Sequence, residues 1–226
     1  MKTPNVSIIL CTFNRAGLLP RAVDSVLCQS YQSWELIIVN DGSTDETPAI
    51  IEESRQHDPR IITINQHNQG LAQSRNNALA QASGNYFALI DDDDEYTCEH
   101  IDKRVEYFEK NPDVDIVWGG LVPQGPEERH YVMDMENPGR KIHLSDCFVS
   151  GTLFGKVSVF HELGGFRDLD YAEDWDFIKR AKEKYTVHQV YFPTYLYYID
   201  APNRLSDLYT EGKGEAIRRY REHGRK

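Results

Sequence analysis

The chain has 226 residues, 40% of them hydrophobic and 11% aromatic, enough apolar surface for a sizeable core, which excludes a disordered chain. Its formal net charge of -11 repels nucleic-acid phosphates, so no nucleic-acid partner is expected. The four cysteines, Cys11, Cys28, Cys98 and Cys147, form no CxxC pair, so neither a zinc site nor a disulfide framework is indicated and reduced thiols in a cytoplasmic protein are expected. The start, Met1 to Asn5, leads into an apolar stretch too short for a signal peptide, and no apolar run approaches a membrane span.

Val6 to Cys11 reads as a buried strand, followed by Thr12-Phe13-Asn14-Arg15 and a helical stretch through Leu18, Leu19, Ala22, Val23 and Val26. Trp34 to Val39 is a second strand, ending in Asn40-Asp41-Gly42-Ser43, where Ser43 or Thr44 is placed to cap the next helix with Glu46 in its first turn. Arg60 to Asn65 is a third strand. Leu71 to Ala82 has helical spacing and Gly84 is a stop signal. Tyr86 to Ile90 is a fourth strand. Short apolar strands separated by helices predict βαβ units and a parallel sheet.

The second half is less regular. Glu99 to Glu109 reads as a helix, Val114 to Trp118 as a strand, and Gly119 to Pro138 as a variable loop or flap. Phe154 to Leu163 predicts a short helix stopped by Gly164-Gly165, Trp175 to Lys184 an amphipathic helix, and Val187 to Ile199 a tyrosine-rich strand. No repeat, low-complexity segment or domain-dividing linker is visible.

The fourth strand runs into Asp91-Asp92-Asp93-Asp94. Strand alternation carried through the run would point Asp91 and Asp93 the same way. Two carboxylates about 5 Å apart repel by roughly 3 kcal/mol at an effective dielectric near 20. A divalent cation, magnesium or manganese, turns that repulsion into attraction and also takes phosphate oxygens. The run therefore reads either as a solvated acidic turn or as a metal–diphosphate site at the carboxyl end of a parallel strand. In such a sheet Thr12, Asn14, Arg15, Asp41, Asp91 and Asp93 would border one crevice, with Arg75 on the helix before the fourth strand. Asp41-Gly42-Ser43 reads equally as a turn with a helix cap, although that leaves the Asp41 carboxylate unexplained.

Val6 to Arg15 resembles the opening strand of family 2 glycosyltransferases, and Glu35 to Asp45 resembles their second signature. Asn68-Gln69-Gly70 with Ser74-Arg75-Asn76 is similar to the third, and Gly84-Asn85-Tyr86 through Asp94 to the DxD segment. Gly164-Gly165-Phe166 and Tyr171 to Asp176 resemble the family's GGF segment and ED pair. The resemblance implies a GT-A fold: a single α/β domain over 1–226, with a mainly parallel central sheet flanked by helices. Within it, 1–98 would form a Rossmann-like nucleotide half and 99–226 an acceptor half with a C-terminal helix. It also implies inverting sugar transfer from a nucleotide-sugar donor, UDP-linked, to a glycan or lipid-linked acceptor in polysaccharide biosynthesis.

Carried over by position, Thr12, Asn14 and Arg15 line the nucleotide pocket, Asp41 contacts the base and Arg75 lies near the nucleotide. Asp91 and Asp92 approach the ribose or metal, and Asp93 ligates the metal; the run permits a shift by one. Inversion needs a base for the acceptor hydroxyl, assigned to Asp174, with Glu173 second. The alternative for both acids is a helix start, where they complement the dipole. Many family members carry a His after the late tyrosine-rich strand. Here Asp200 takes that place as a further metal ligand, or Arg204 meets the diphosphate.

The tail, with Lys213, Arg218, Arg219, Arg221, Arg225 and Lys226, is either a solvated helix or a peripheral contact to an anionic membrane. Trp118, Trp175, Tyr195, Tyr197 and Tyr198 read as packing residues or sugar-stacking ones, Trp175 being the best placed beside Asp174. The competing functions are a nucleotidyltransferase, disfavoured by the lack of glycines after the first strand, and a non-catalytic nucleotide- or glycan-binding homologue. Sugar, linkage and oligomeric state leave no readable signal.

Overall fold

The computed structural model describes residues 5–133, 137, 139–169, 172–202 and 204. The first half alternates strand and helix: β1 (Val6–Thr12), α1 (Leu19–Leu27), β2 (Trp34–Asn40), α2 (Thr47–His57), β3 (Ile61–Asn65), α3 (Leu71–Leu79) and β4 (Tyr86–Asp91). Strands β1 and β2 are near-continuous apolar runs because both faces of a parallel sheet are covered. Proline in the first turn of α1 and of α2 presets the helical φ where no backbone N–H is needed.

The second half adds β5 (Glu95–Tyr96), α4 (His100–Lys110), β6 (Ile116–Trp118), β7 (Leu121–Gln124), β8 (Tyr131–Met133), β9 (Lys141–His143) and β10 (Phe154–Lys156). It closes with α5 (Val157–Glu162), α6 (Glu173–Lys182), β11 (Val187–Gln189) and β12 (Tyr195–Tyr198). A seven-stranded sheet has the order β11-β6-β10-β4-β1-β2-β3. Its strands β1 to β4 are parallel, and β10 runs antiparallel between β4 and β6. A smaller sheet, β5-β12-β7, stands beside it, and β8 pairs with β9.

Alternation along the strands divides the core into two layers. Ile8, Leu10, Leu36, Ile38, Ala88 and Ile90 face α1, α2 and α4. Ile9, Ile37, Val39, Phe87 and Leu89 face α3, α5 and α6. The expected mainly parallel sheet flanked by helices is therefore present, as a three-layer arrangement.

Several local expectations differ. β4 stops at Asp91, and Asp94 N bonds back to the Asp91 carbonyl at 3.1 Å. Asp92 and Asp93 thus lie in a turn, and strand alternation does not relate Asp91 to Asp93. The stretch expected to be one helix from Phe154 begins as β10, because Phe154 and Gly155 fill the slot between β4 and β6. The tyrosine-rich stretch is two strands, β11 and β12, in different sheets. The expected flap holds β7 and β8, and Pro123 is tolerated because β7 is an edge strand. The basic tail and Tyr171 lie outside the described residues.

Gly84 sits five residues beyond the end of α3, so it does not stop that helix. It lets the turn before β4 touch β1: a Cβ there would stand 2.8 Å from Ser7 N and 2.9 Å from Val6 C. Buried Glu35 locks the same corner, accepting from Ser7 Oγ at 2.6 Å and from Ser83 N at 2.7 Å. Gly84→Ala is expected to cost about 1–3 kcal/mol of stability through this overpacking. A lower urea midpoint at unchanged slope would show it, and an unchanged midpoint would contradict the packing argument.

Candidate active site

The chain winds from β1 through β2 to β3, then crosses back to place β4 on the other side of β1. A crevice opens at such a reversal, at the carboxyl ends of β1 and β4, where open α/β sheets take ligands. Register sets Cys11 opposite Asp91 and Thr12 opposite Asn40. Thr12, Asp41 and Asp91 therefore end on one rim.

The loops after β1 and β2 are tied together on that rim. Asn14 has a left-handed backbone, φ 54, its N donates to Ser43 Oγ at 2.9 Å, and its Oδ1 accepts from Thr44 N at 2.8 Å. Ser43 and Thr44 therefore serve this tie, while Asp45 Oδ1 accepts from Thr47 N at the start of α2. Asp41 is buried and accepts from Gln66 Nε2 at 2.7 Å, Gln69 N at 2.8 Å and Gly70 N at 2.9 Å. Burial raises its proton affinity and these donors oppose the rise. Its visible work is to clamp the loop between β3 and α3. Thr12 Oγ1 is buried and has no hydrogen-bond partner of ordinary geometry, although the hydroxyl lies near enough to Asp92 to lower that acid's proton affinity.

The acidic turn divides its four carboxylates. Asp94 is fully buried and accepts from Tyr195 Oη at 2.7 Å and Tyr198 N at 2.8 Å, so it anchors the turn to β12. Asp92 and Asp93 are left toward Arg15, whose Nε is 3.8 Å from Asp92 Oδ1. Burial, then the neighbouring Asp93 charge, pushes Asp92 up to about 7. Burial and the Asp91 charge likewise raise Asp93, against Arg15 and Arg204. From α1, Arg21 donates to the Asp93 carbonyl and lies over the Tyr198 ring, 3.6 Å from its centroid.

Arg75 reaches across the crevice from α3 and is 2% exposed. Its Nη2 donates to Asp91 Oδ1 at 2.8 Å and Ser150 Oγ at 3.0 Å, and its Nη1 to Glu173 Oε1 at 3.1 Å. Burial alone would lower its pKa, and the Asp91 and Glu173 charges overcome that. Burial raises the proton affinities of Glu173 and Asp174, with Arg75 pulling both back. Asp174 also senses the Asp91 charge and the Ser150 hydroxyl, which places the acid pair on the same crevice as the acidic turn. Ala172, just before the pair, is the other non-glycine with positive φ among the described residues, at 61. That strain, about 1–3 kcal/mol for such a residue, lies directly against the acids. Gly151, beside Ser150, is needed for closeness: a Cβ there would be 1.9 Å from Tyr195 Oη.

The structure thus brings Thr12, Arg15, Arg75, Asp91, Asp92, Asp93, Glu173 and Asp174 to one crevice, with Asn14 and Asp41 shaping its rim. Asp200 is not drawn in: its carboxylate is exposed and pairs with Arg129 at 2.6 Å. The expected set Asp91, Asp93 and Asp200 therefore does not assemble, and among the described residues no three His, Cys, Asp or Glu side chains converge as a metal site. Arg204 is buried, donates to the Ile199 carbonyl and Tyr197 Oη, and lowers the proton affinity of Asp93. Phe148 lies between Trp118 and Trp175, with ring centroids 5.5 and 5.9 Å away. Lys182 stands over both indoles, so the two tryptophans form one packed group.

Arg21, Ser150 and the anchoring role of Asp94 escaped the sequence reading. None has a local pattern to mark it, since each acts on a residue far away in the chain. The chemistry of the turn fits a hard cation all the same. Crowded carboxylates that raise one another's proton affinity are relieved by a divalent ion, and a diphosphate can complete its oxygen shell beside one or two protein ligands.

The family described as Glycosyl transferase family 2 matches residues 7–167. An uncharacterized glycosyltransferase of Haemophilus influenzae is 40% identical over 190 residues, covering 77% of this chain and 59% of that relative. In fold the chain is similar to S. aureus TarS 1-349 in complex with UDP-GlcNAc, with TM-score 0.72, 19% identity, and 89% of this chain and 60% of that one covered. It is also similar to the mannosyltransferase PcManGT of Pyrobaculum calidifontis in complex with GDP-Man and Mn2+. There the TM-score is 0.70 at 20% identity, over 92% of this chain and 60% of that one. The chain spans about six tenths of the length of each of these proteins.

Replacing Arg75 by Met would leave Asp91 and Glu173 without their shared cation. Breaking a buried ion pair from one side costs about 3–5 kcal/mol, so the urea midpoint of Arg75→Met should drop markedly. Arg75→Lys should recover only part of the loss, because one ammonium cannot reproduce the planar fork. Full stability in Arg75→Met would contradict the network.

Proposed function

The chain belongs to glycosyltransferase family 2, and from that premise we propose that it moves a sugar, with inversion, from a UDP-linked donor to a hydroxyl of a glycan or lipid-linked acceptor. The observation that carries the reading is Arg75, which binds Asp91 on the acidic turn and Glu173 of the acid pair at once. A donor side and an acceptor side are thereby held on opposite walls of one crevice. The complexes of TarS with UDP-GlcNAc and of PcManGT with GDP-Man and Mn2+ support a nucleotide-sugar donor in this fold.

In this reading the nucleotide lies over the carboxyl ends of β1 and β4. Thr12, whose buried hydroxyl lies beside Asp92 without a hydrogen bond of ordinary geometry, accepts the nucleotide there, with Asn14 and Arg15 beside it. Asp41 fixes the base side of the pocket, and Asp91 and Asp92 the ribose side. Asp93, with Asp91, would hold manganese or magnesium together with the diphosphate. When bound, such an ion would supply positive charge to the departing diphosphate. Arg15, already beside Asp92, adds positive charge on the same side.

Asp174 takes the proton of the acceptor hydroxyl as its oxygen attacks the anomeric carbon from the face opposite the diphosphate. A buried Asp with raised proton affinity is a stronger base than one in water, and the Arg75 charge opposes that rise. Glu173, paired with Arg75, orients that cation and thereby the acid pair. The strained backbone at Ala172 helps fix the direction in which the pair enters the crevice. A membrane contact through the basic tail would bring the protein to a lipid-linked acceptor.

Release of nucleoside diphosphate from UDP-sugars tests the assignment. Asp174→Asn and Asp93→Ala should each lower kcat/KM by about 10²-fold or more. Near-normal turnover in purified Asp174→Asn would reject Asp174 as the base. The base must be ionised, so kcat/KM should fall as pH drops through a value above about 3.9, that of an ordinary Asp. An acid limb at or below that value would contradict the burial argument.

A further inference from the structure

Cys28 and Cys98 are 70 positions apart in the chain, yet their sulfurs stand 2.6 Å from each other. Cys28 caps the C-terminus of α1, and Cys98 lies between β5 and α4. Both are exposed, whereas Cys11 and Cys147 are half-buried. A disulfide bond is about 2.04 Å long, so closure needs an approach of roughly 0.6 Å.

The surrounding backbone already holds the two segments together. Ser30 N donates to the Cys98 carbonyl at 2.7 Å. The buried Gln29 side chain donates to the Thr97 carbonyl at 2.8 Å and accepts from Ile101 N at 3.0 Å. Because these contacts order the segments before any bond forms, little further chain freedom is lost on closing it.

We propose that Cys28 and Cys98 are a modification site: an accessible dithiol that closes to an intramolecular disulfide by exchange with a small disulfide such as oxidised glutathione. One protein thiolate attacks a glutathione sulfur, forming a mixed disulfide and releasing one glutathione thiolate. The second protein sulfur attacks that mixed disulfide, forming the Cys28–Cys98 bond and releasing the second glutathione. The protein gives up two protons and two electrons, and one disulfide is reduced to two thiols.

Partial burial, then the contact with Cys98, pushes the Cys28 thiol up to about 12, so exchange is favoured by alkaline pH. The bond would join the end of α1, the helix that carries Arg21, to the segment that follows the acidic turn. The proposal stands independently of the sugar-transfer reading.

The test uses the full chain, incubated with oxidised glutathione at mildly alkaline pH, then alkylated and mapped by mass spectrometry. The wild type should lose the mass of two hydrogens, yield a linked peptide pair containing Cys28 and Cys98, and revert with dithiothreitol. Cys28→Ser should instead keep a glutathione adduct on Cys98. Persistent glutathione adducts on both residues of the wild type would overturn the proposal. So would alkylation of both residues under conditions that modify Cys98 in Cys28→Ser, or a link between two copies of the chain.

Discussion

A single buried guanidinium holds the crevice in register. Arg75 sits between Asp91 at the end of β4 and Glu173 at the start of α6, at 2.8 and 3.1 Å. A cation so deeply removed from water is tolerable only with opposite charge beside it, and the carboxylates need it for the same reason. Moving either wall away would strip the buried guanidinium of one of its two carboxylate partners. Because Ser150 also accepts from Arg75, the turn before β10 is drawn in, and Gly151 lets Tyr195 approach that turn. The chemistry proposed for Asp174 depends on this arrangement, since the same cation keeps its proton affinity from rising further.

The sheet explains why the network lies where it does. Crossing back from β3 to β4 opens a crevice beyond the carboxyl ends of β1 and β4, and the parallel register fixes which residues edge it. The antiparallel β10 and the smaller sheet close the far side, with Asp94 hydrogen-bonded to Tyr195 and Tyr198. The acidic turn is thus stiffened from behind by one carboxylate while its others face the crevice. Two neighbouring residues of the same type differ in their surroundings: Asp94 is bonded to Tyr195 and Tyr198 of β12, while Asp93 stands near the charges of Asp91, Arg15 and Arg204.

Much of the first half was legible in the chain because parallel strands buried on both faces are unbroken apolar runs, as in Val6 to Cys11 and Trp34 to Val39. The acidic residues and Arg75 were legible because their spacing matches a family pattern. The second half was less so. Its strands are three or four residues long, and Gly and Pro around Leu121 and Tyr131 resemble loop punctuation whether or not a strand lies between them. Strand alternation failed at Asp91 because a turn begins there, and only the backbone bond from Asp94 to Asp91 reveals it. The Ser43 and Thr44 cap failed because Asn14, from another loop, claimed both residues. Arg21 over Tyr198 and Cys28 beside Cys98 are contacts between distant segments, for which a single sequence carries no local sign.

The account rests on the acidic turn gripping a nucleoside diphosphate through a cation, separately from the acid that accepts the proton. Titration calorimetry of UDP and GDP, with and without manganese chloride, tests this most directly. Wild type and Asp174→Asn should bind UDP with similar affinity and only when manganese is present, while Asp93→Ala should lose that binding. Equal UDP binding by Asp93→Ala and wild type, or binding by wild type indifferent to manganese, would contradict it.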